Sequence, residues 1–208
     1  MQKFGLLGGG SQADETEEYC APGSVLFRAI SAQYLGESAR EGFIDIATVE
    51  PQFIGAPVTA AVGAPGLRRQ LVSSWAGTEF HTVVADGTSI GRSVELGDGC
   101  IVAPGAVLTY RARLGRHVIV NIGASVSHTS VVGNFVTISP GARIAGDCTI
   151  GDGVFIGIGA IISHGVSIAE GTVIGAGAVV ISDIEVAGVY VGVPARRIRE
   201  VDGWLHKL

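Results

Sequence analysis

The sequence predicts a solenoid built from six-residue units and preceded by a small α/β lobe, and three observations carry that reading. Stepping by six from Val84 gives Val84, Ile90, Leu96, Val102, Leu108, Leu114, Val120 and onward to Val180 and Val186, and every step lands on an aliphatic residue. From Ile90 to Ile174 the following residue is always small or compact, as at Gly91, Thr109, Asn121, Ser139 and Gly157. The chain also holds 32 glycines among 208 residues, with 47% apolar and only 6% aromatic content, which is too apolar for disorder and too glycine-rich for an ordinary globule.

A period of six matches neither a helix nor a simple strand, so each hexapeptide reads as one short strand plus a corner. The aliphatic residue and a second residue four places on (Cys100, Ala106, Ala112, Val118, Ala124, Ser130, Val136, Ala142, Cys148, Val154) then point inward and stack on their equivalents one coil away. Cys100 and Cys148 fall in core slots. With Cys20 they make an odd number without a C-x-x-C pair, so neither a disulfide framework nor a zinc knuckle is expected, and a reducing cytoplasm fits.

The chain divides into residues 1–83, the α/β lobe, 84–187, the repeat, and 188–208, a capping segment. Within the lobe, strands are expected at Lys3 to Leu7, Ser24 to Ile30 and Pro57 to Val62. Helices are expected at Ser11 to Cys20 and at Pro65 to Trp75, the latter opened by proline, and a last strand at Phe80 to Val84 enters the repeat. Gly8, Gly10 and Ala13 satisfy G-x-G-x-x-A. Two readings stand for that loop: a helix N-terminus that holds a diphosphate, or glycines that let a strand turn tightly into a helix. Asp14, Glu15, Glu17 and Glu18 favour the helix dipole but repel phosphate.

Charge removes whole classes of function. Fourteen Lys and Arg against nineteen Asp and Glu give a net charge of −5, the wrong sign for neutralising a nucleic-acid backbone. The uncharged stretch His117 to Ala142 is long enough to cross a bilayer, but Asn121, Ser125, Ser127, His128, Thr129, Ser130, Asn134 and Ser139 interrupt it, so no membrane is expected. Met1 to Gly10 lacks the apolar core and cleavage site of a signal peptide.

This repeat resembles that of the hexapeptide-repeat acyltransferases, which implies a left-handed parallel β-helix with 18 residues per triangular coil. An α/β lobe with a glycine loop feeding such a helix is similar to the sugar-nucleotide N-acetyltransferases, including the bacillosamine and perosamine enzymes and the sialic acid O-acetyltransferase group. The resemblance implies a homotrimer that takes acetyl-CoA as acyl donor, needs no metal, and acts on the amino group of a nucleotide sugar. It assigns acceptor binding to Gly8, Gly9, Gly10, Ser11, Gln12 and Gly63. Many members carry Gly-His where this chain has Ser11-Gln12, and acids where it has Ser31-Ala32.

The segment from Asn121 to His128 matches the family's Asn followed seven residues later by the catalytic His, which implies His128 as general base, with Asn121 beside it in the motif. An imidazole titrating near neutrality suits removal of the amine proton during acyl transfer. Family members usually carry Asp or Glu directly after this histidine, and here the position is Thr129, so the base is weaker unless a carboxylate arrives from elsewhere. The resemblance further implies the Gly146 amide as oxyanion donor and coenzyme contacts at Thr137, Gly146, Ile158, Ala176, Arg196 and Arg197, the arginines lying in the closing motif Gly192-Val193-Pro194-Ala195-Arg196-Arg197. Two coils separate His128 from His164, so a spacing of roughly 9 to 10 Å is expected, too far to share a metal within one chain. Alternative readings are an O- or N-acyltransferase for a non-nucleotide acceptor, a catalytically silent trimeric scaffold and, last, a zinc-dependent carbonic anhydrase. Trp204, Leu205 and Leu208 are expected to cover the last coil.

Overall fold

A computed structural model describes residues 2–35 and 42–208. The first part is a parallel sheet of four strands, β1 (Phe4–Leu7), β2 (Val25–Ile30), β3 (Phe43–Asp45) and β4 (Val58–Ala60), in the order β3-β2-β1-β4. Among the described residues three α-helices accompany it, α1 (Ser11–Glu18), α2 (Pro51–Ile54) and α3 (Pro65–Ser74), with a single 3-10 turn at Ala32–Tyr34. β1 and β4 are buried along their whole length, as parallel strands covered on both faces must be. β3 and α2 were not foreseen; three and four residues are too few to show a period. Of the strand expected at Phe80 to Val84, Val83–Val84 pairs as a strand, while Phe80 forms a single bridge to Val58.

From β5 (Val83–Val84), β6 (Ser89–Ile90) and β7 (Glu95–Leu96) onward, a two-residue strand recurs every six residues as far as Val179–Val180. As far as Ile161–Ile162, each pairs in parallel with the strand 18 residues later: Ile119 with Thr137, Ser125 with Arg143, Arg113 with Val131. Three hexapeptides therefore make one coil, and the coils stack into a three-faced parallel β-helix. The second residue of each pair points inward. Val102, Leu108, Leu114, Val120 and their successors form one continuous core with the small residues four places on, from Cys100 to Ala178. Each such aliphatic, fully buried, contributes about 1.5 to 3 kcal/mol.

The corners need left-handed backbone. Glycine supplies it at most of them, but Arg111, His117, Thr129, Phe135 and Asp147 adopt φ of 56 to 58°. For Thr129, a β-branched residue, this is an uncommon conformation.

The predicted inward ladder fails at its two ends. Val84 is 46% exposed because no earlier coil covers it, and Val186 is 59% exposed because the final coil is two residues short. Ile184 bridges Ile168, and Val189 pairs with Val173, both at a spacing of sixteen. Tyr190 and Ala195 pack against the core there, and strand Arg196–Arg199 runs antiparallel beside Val189–Val191. Trp204 and Leu208 do not cap the last coil, contrary to expectation. Trp204 lies against Gly153, donates to Glu170 and stacks under Arg69, and the tail continues to the lobe, where Leu205 O accepts from Gly66 N and Leu208 touches the Gly63 position.

The lobe is fastened to one face of the helix. Phe4, Leu6, Ala13 and Ala61 pack against Val83, Ile101 and Ile119. Arg68, fully buried, donates to the carbonyls of Val62, Gly63, His117, Phe135 and Val136 at 2.5 to 3.2 Å. Burial lowers its pKa to about 9, so it stays charged at neutral pH, with five carbonyl dipoles in place of a counter-ion.

Candidate active site

Stacking at 18-residue intervals decides which side chains meet. His128, Gly146 and His164 hold the same position in three successive coils, and Thr129 lies under Asp147. Gly146 is where the missing side chain matters: a Cβ there would stand 2.2 Å from Cε1 of His128, so the imidazole lies directly over the glycine backbone. Among the described residues, the Gly146 N–H donates to no acceptor.

Thr129 is linked to a carboxylate after all. Its hydroxyl donates to Oδ1 of Asp147 and stands 3.1 Å from Nδ1 of His128. Asp147 Oδ2 is 3.9 Å from His128 Nδ1 and 3.5 Å from His164 Nε2. The acid that sequence reasoning missed is thus supplied one coil on. Its position could have been found by adding the coil length to Thr129.

The expected 9 to 10 Å between the two histidines is corrected. The rings lean together over the gap at Gly146, their centroids 6.2 Å apart, and the ligand atoms of His128, Asp147 and His164 all lie within 4.8 Å of one another. Backbone spacing sets where the coils lie, whereas side chains at an exposed corner reach across it.

Other predicted residues lie elsewhere. Asn121 occupies the preceding corner of the same coil, with the strand Ser125–Val126 between it and His128; its Oδ1 is buried without a partner. Ile158 and Ala176 are exposed on that same edge, in line with Ile122. Arg196 and Arg197 are exposed on the closing strand, where Arg197 bonds the Ala187 carbonyl. Thr137 departs from expectation. It is buried, and its hydroxyl donates to the Gly63 carbonyl at 2.6 Å, which ties the β-helix to the loop after β4 and leaves no exposed surface for a coenzyme.

In the lobe, Gly8 (φ +130°) sits against the Ala61 carbonyl and Gly9 against Phe43, so both are required by close packing, whereas Gly10 faces open space at the start of α1 beside exposed Ser11. Gln12 points toward Gly63 and Leu208, and its Nε2 is a buried donor without a partner. The acids of α1 are less repulsive than their sequence implies, because Arg28 pairs with Asp14 and Glu17 at 2.5 Å each. A further group was not foreseen: Arg92, Arg111 and Arg113 line an open groove together with Ser93, Glu95 and Thr129.

Residues 147–182 match the model of the bacterial transferase hexapeptide repeats. No curated protein matches the chain. Among solved structures it is similar to the acetyltransferase domain of PglB from Neisseria gonorrhoeae, determined alone and with acetyl coenzyme A (28% identity, TM-score 0.82, 95% of this chain and 99 to 100% of that one). It is also similar to perosamine N-acetyltransferase from Caulobacter crescentus, determined with CoA and GDP-perosamine (25% identity, TM-score 0.83, 95% and 97%). WeeI from Acinetobacter baumannii matches comparably (26% identity, TM-score 0.79, 95% and 100%). Repeat, two-part fold and near-complete structural coverage together make this chain similar to sugar-nucleotide N-acetyltransferases built on hexapeptide repeats, and mark it as an acyltransferase.

Proposed function

We propose that this protein transfers the acetyl group of acetyl-CoA to the amino group of a nucleotide-linked amino sugar, with His128 as general base. The observation that carries the reading is the join between likeness and geometry. Two acetyltransferases, one bound to acetyl coenzyme A and one to CoA and GDP-perosamine, share the fold over 95% of the chain. At the motif histidine, an imidazole lies over a free backbone N–H.

Nε2 of His128 takes a proton from the amine as nitrogen attacks the thioester carbonyl. The Gly146 N–H stabilises the oxyanion of the tetrahedral intermediate, and collapse breaks the C–S bond and releases CoA thiol. Asp147, through Thr129, holds the Nδ1 proton in place and offsets charge on the ring as it becomes imidazolium. The acceptor nucleotide lies between the Gly8 to Gln12 loop and Gly63 in a Rossmann-like lobe, where Gly10 and exposed Ser11 leave the start of α1 open.

The predicted groups lie on two different edges of the β-helix, which a homotrimer of left-handed β-helices resolves. The His128 edge of one subunit faces the Asn121, Ile158 and Ala176 edge of the next, and the exposed Ile122, Ile158, Ile161 and Ile181 supply apolar surface for that contact. A cytoplasmic setting fits the three free cysteines. The test is thiol release from acetyl-CoA with a panel of GDP-, UDP- and dTDP-linked 4-amino sugars. One acceptor should turn over, and His128→Ala should reduce its rate about a hundredfold or more. Coenzyme binding without turnover of any amino sugar refutes the acceptor class, and absence of coenzyme binding favours a silent scaffold.

A further inference from the structure

We propose that His128, Asp147 and His164 form a binding site for a zinc-class divalent cation, and that the bound ion holds acyl transfer off. The donor set is two imidazoles and one carboxylate, a combination that selects nitrogen-preferring transition metals over magnesium or calcium. Tetrahedral donors at the usual zinc distances stand about 3.4 Å apart. Asp147 Oδ2 is already 3.5 Å from His164 Nε2 and 3.9 Å from His128 Nδ1, and the whole set lies within 4.8 Å. Closing the remainder takes a small rotation of two rings that are 53% and 67% exposed, across a gap that Gly146 leaves free. Thr129 donates to Oδ1 of Asp147, which fixes the carboxylate with Oδ2 toward both histidines, the outer support that metal-binding carboxylates need. A fourth position stays open to solvent.

Inhibition follows from the tautomer, and this half of the inference rests on the proposed role of His128. A neutral imidazole carries one proton. Acyl transfer needs it on Nδ1, facing Thr129, so that Nε2 is free to take the amine proton. A metal at Nδ1 occupies that lone pair and moves the ring proton to Nε2, leaving no base.

The experiment uses the full chain without an affinity tag, titrated with cobalt(II) and followed by its visible d–d absorption. One equivalent per chain should bind, zinc should displace it, and the band should be lost in both His164→Ala and Asp147→Asn but kept in His206→Ala, a histidine remote from the cluster. In the turnover assay zinc should inhibit wild type reversibly, with a chelator restoring the rate, and His164→Ala should weaken that inhibition roughly tenfold or more. No stoichiometric band, or an equal band in His164→Ala, overturns the site. Equal zinc inhibition in the two proteins overturns the inhibitory role. The cobalt titration is independent of turnover: cobalt binding without any acceptor turned over counts against the transferase reading alone, while turnover without cobalt binding counts against the metal site alone.

Discussion

Replacing Asp147 by Asn removes a charge and leaves the shape, so it isolates what the carboxylate does for His128. At 3.9 Å, an Asp147 charge and an imidazolium attract by about 1 kcal/mol in water and about 4 kcal/mol at an effective dielectric of 20. The two side chains are 48% and 53% exposed, which places the interaction at the lower end, about 1 to 2 kcal/mol. Since in the proposed reaction that charge exists on the ring only as the amine proton transfers, the loss should fall on kcat, roughly 5- to 30-fold, with KM for both substrates unchanged. Thr129→Val cuts the same chain at its middle, so the double variant should be no slower than Asp147→Asn alone. Steady-state thiol release for the four proteins decides it. Asp147→Asn within twofold of wild type, or losses that simply multiply in the double variant, would refute the relay.

Gly146→Ala should cut kcat at least tenfold in a folded protein, since its Cβ would stand 2.2 Å from Cε1 of His128 and push the ring aside; circular dichroism with turnover checks this. His117, buried among Phe80, Phe135 and the lobe with Nδ1 unpaired, has its pKa lowered to about 4 by burial, with Arg116 and Arg68 adding to the effect. The unfolded chain takes that proton near 6.5 and the folded chain refuses it until about 4. The contribution is therefore fully present above pH 6.5 and lost as pH falls to about 4, about 3 kcal/mol in all. Urea unfolding of His117→Phe should show a weaker pH dependence across that window. Arg68→Met leaves the Val62, His117 and Phe135 carbonyls without a donor, each worth about 1 to 3 kcal/mol, and should make the lobe the first part cut in limited proteolysis. Arg111→Ser, in the groove that Thr129 also lines, should raise KM for a phosphate-bearing substrate more than it lowers kcat.

The repeat was legible because burial acts on every sixth residue alike, so Leu108, Val126 and Ile144 announce the same slot three times. β3 was hidden because Phe43–Asp45 is too short to alternate. The site was legible only in part. His128 stood out by its motif, but its carboxylate did not, because Thr129 and Asp147 are far apart in a linear reading and adjacent only once the coil length is applied to polar positions as well as apolar ones. Thr137 misled for a related reason: its place in the coil was right, but what covers that face comes from the lobe, through Gly63, which no period within the repeat can reveal. Arg28 likewise cancels two of the acids on α1 from a neighbouring strand.

The registration of Thr129 beneath Asp147 makes the separation between His128 and Asp147 quantised. One residue inserted anywhere between them would turn every later inward aliphatic toward solvent and carry Asp147 round to the wrong side of its corner, so small length changes in this stretch are ruinous to packing and chemistry together. A complete eighteen-residue coil is different. Added or removed between Ile150 and Ile168, it would keep the core continuous and leave His128, Thr129 and Asp147 untouched, while changing which residue stands two coils beyond His128. The length of this solenoid can thus drift in whole coils, and His164 is the member of the cluster that such drift would exchange first.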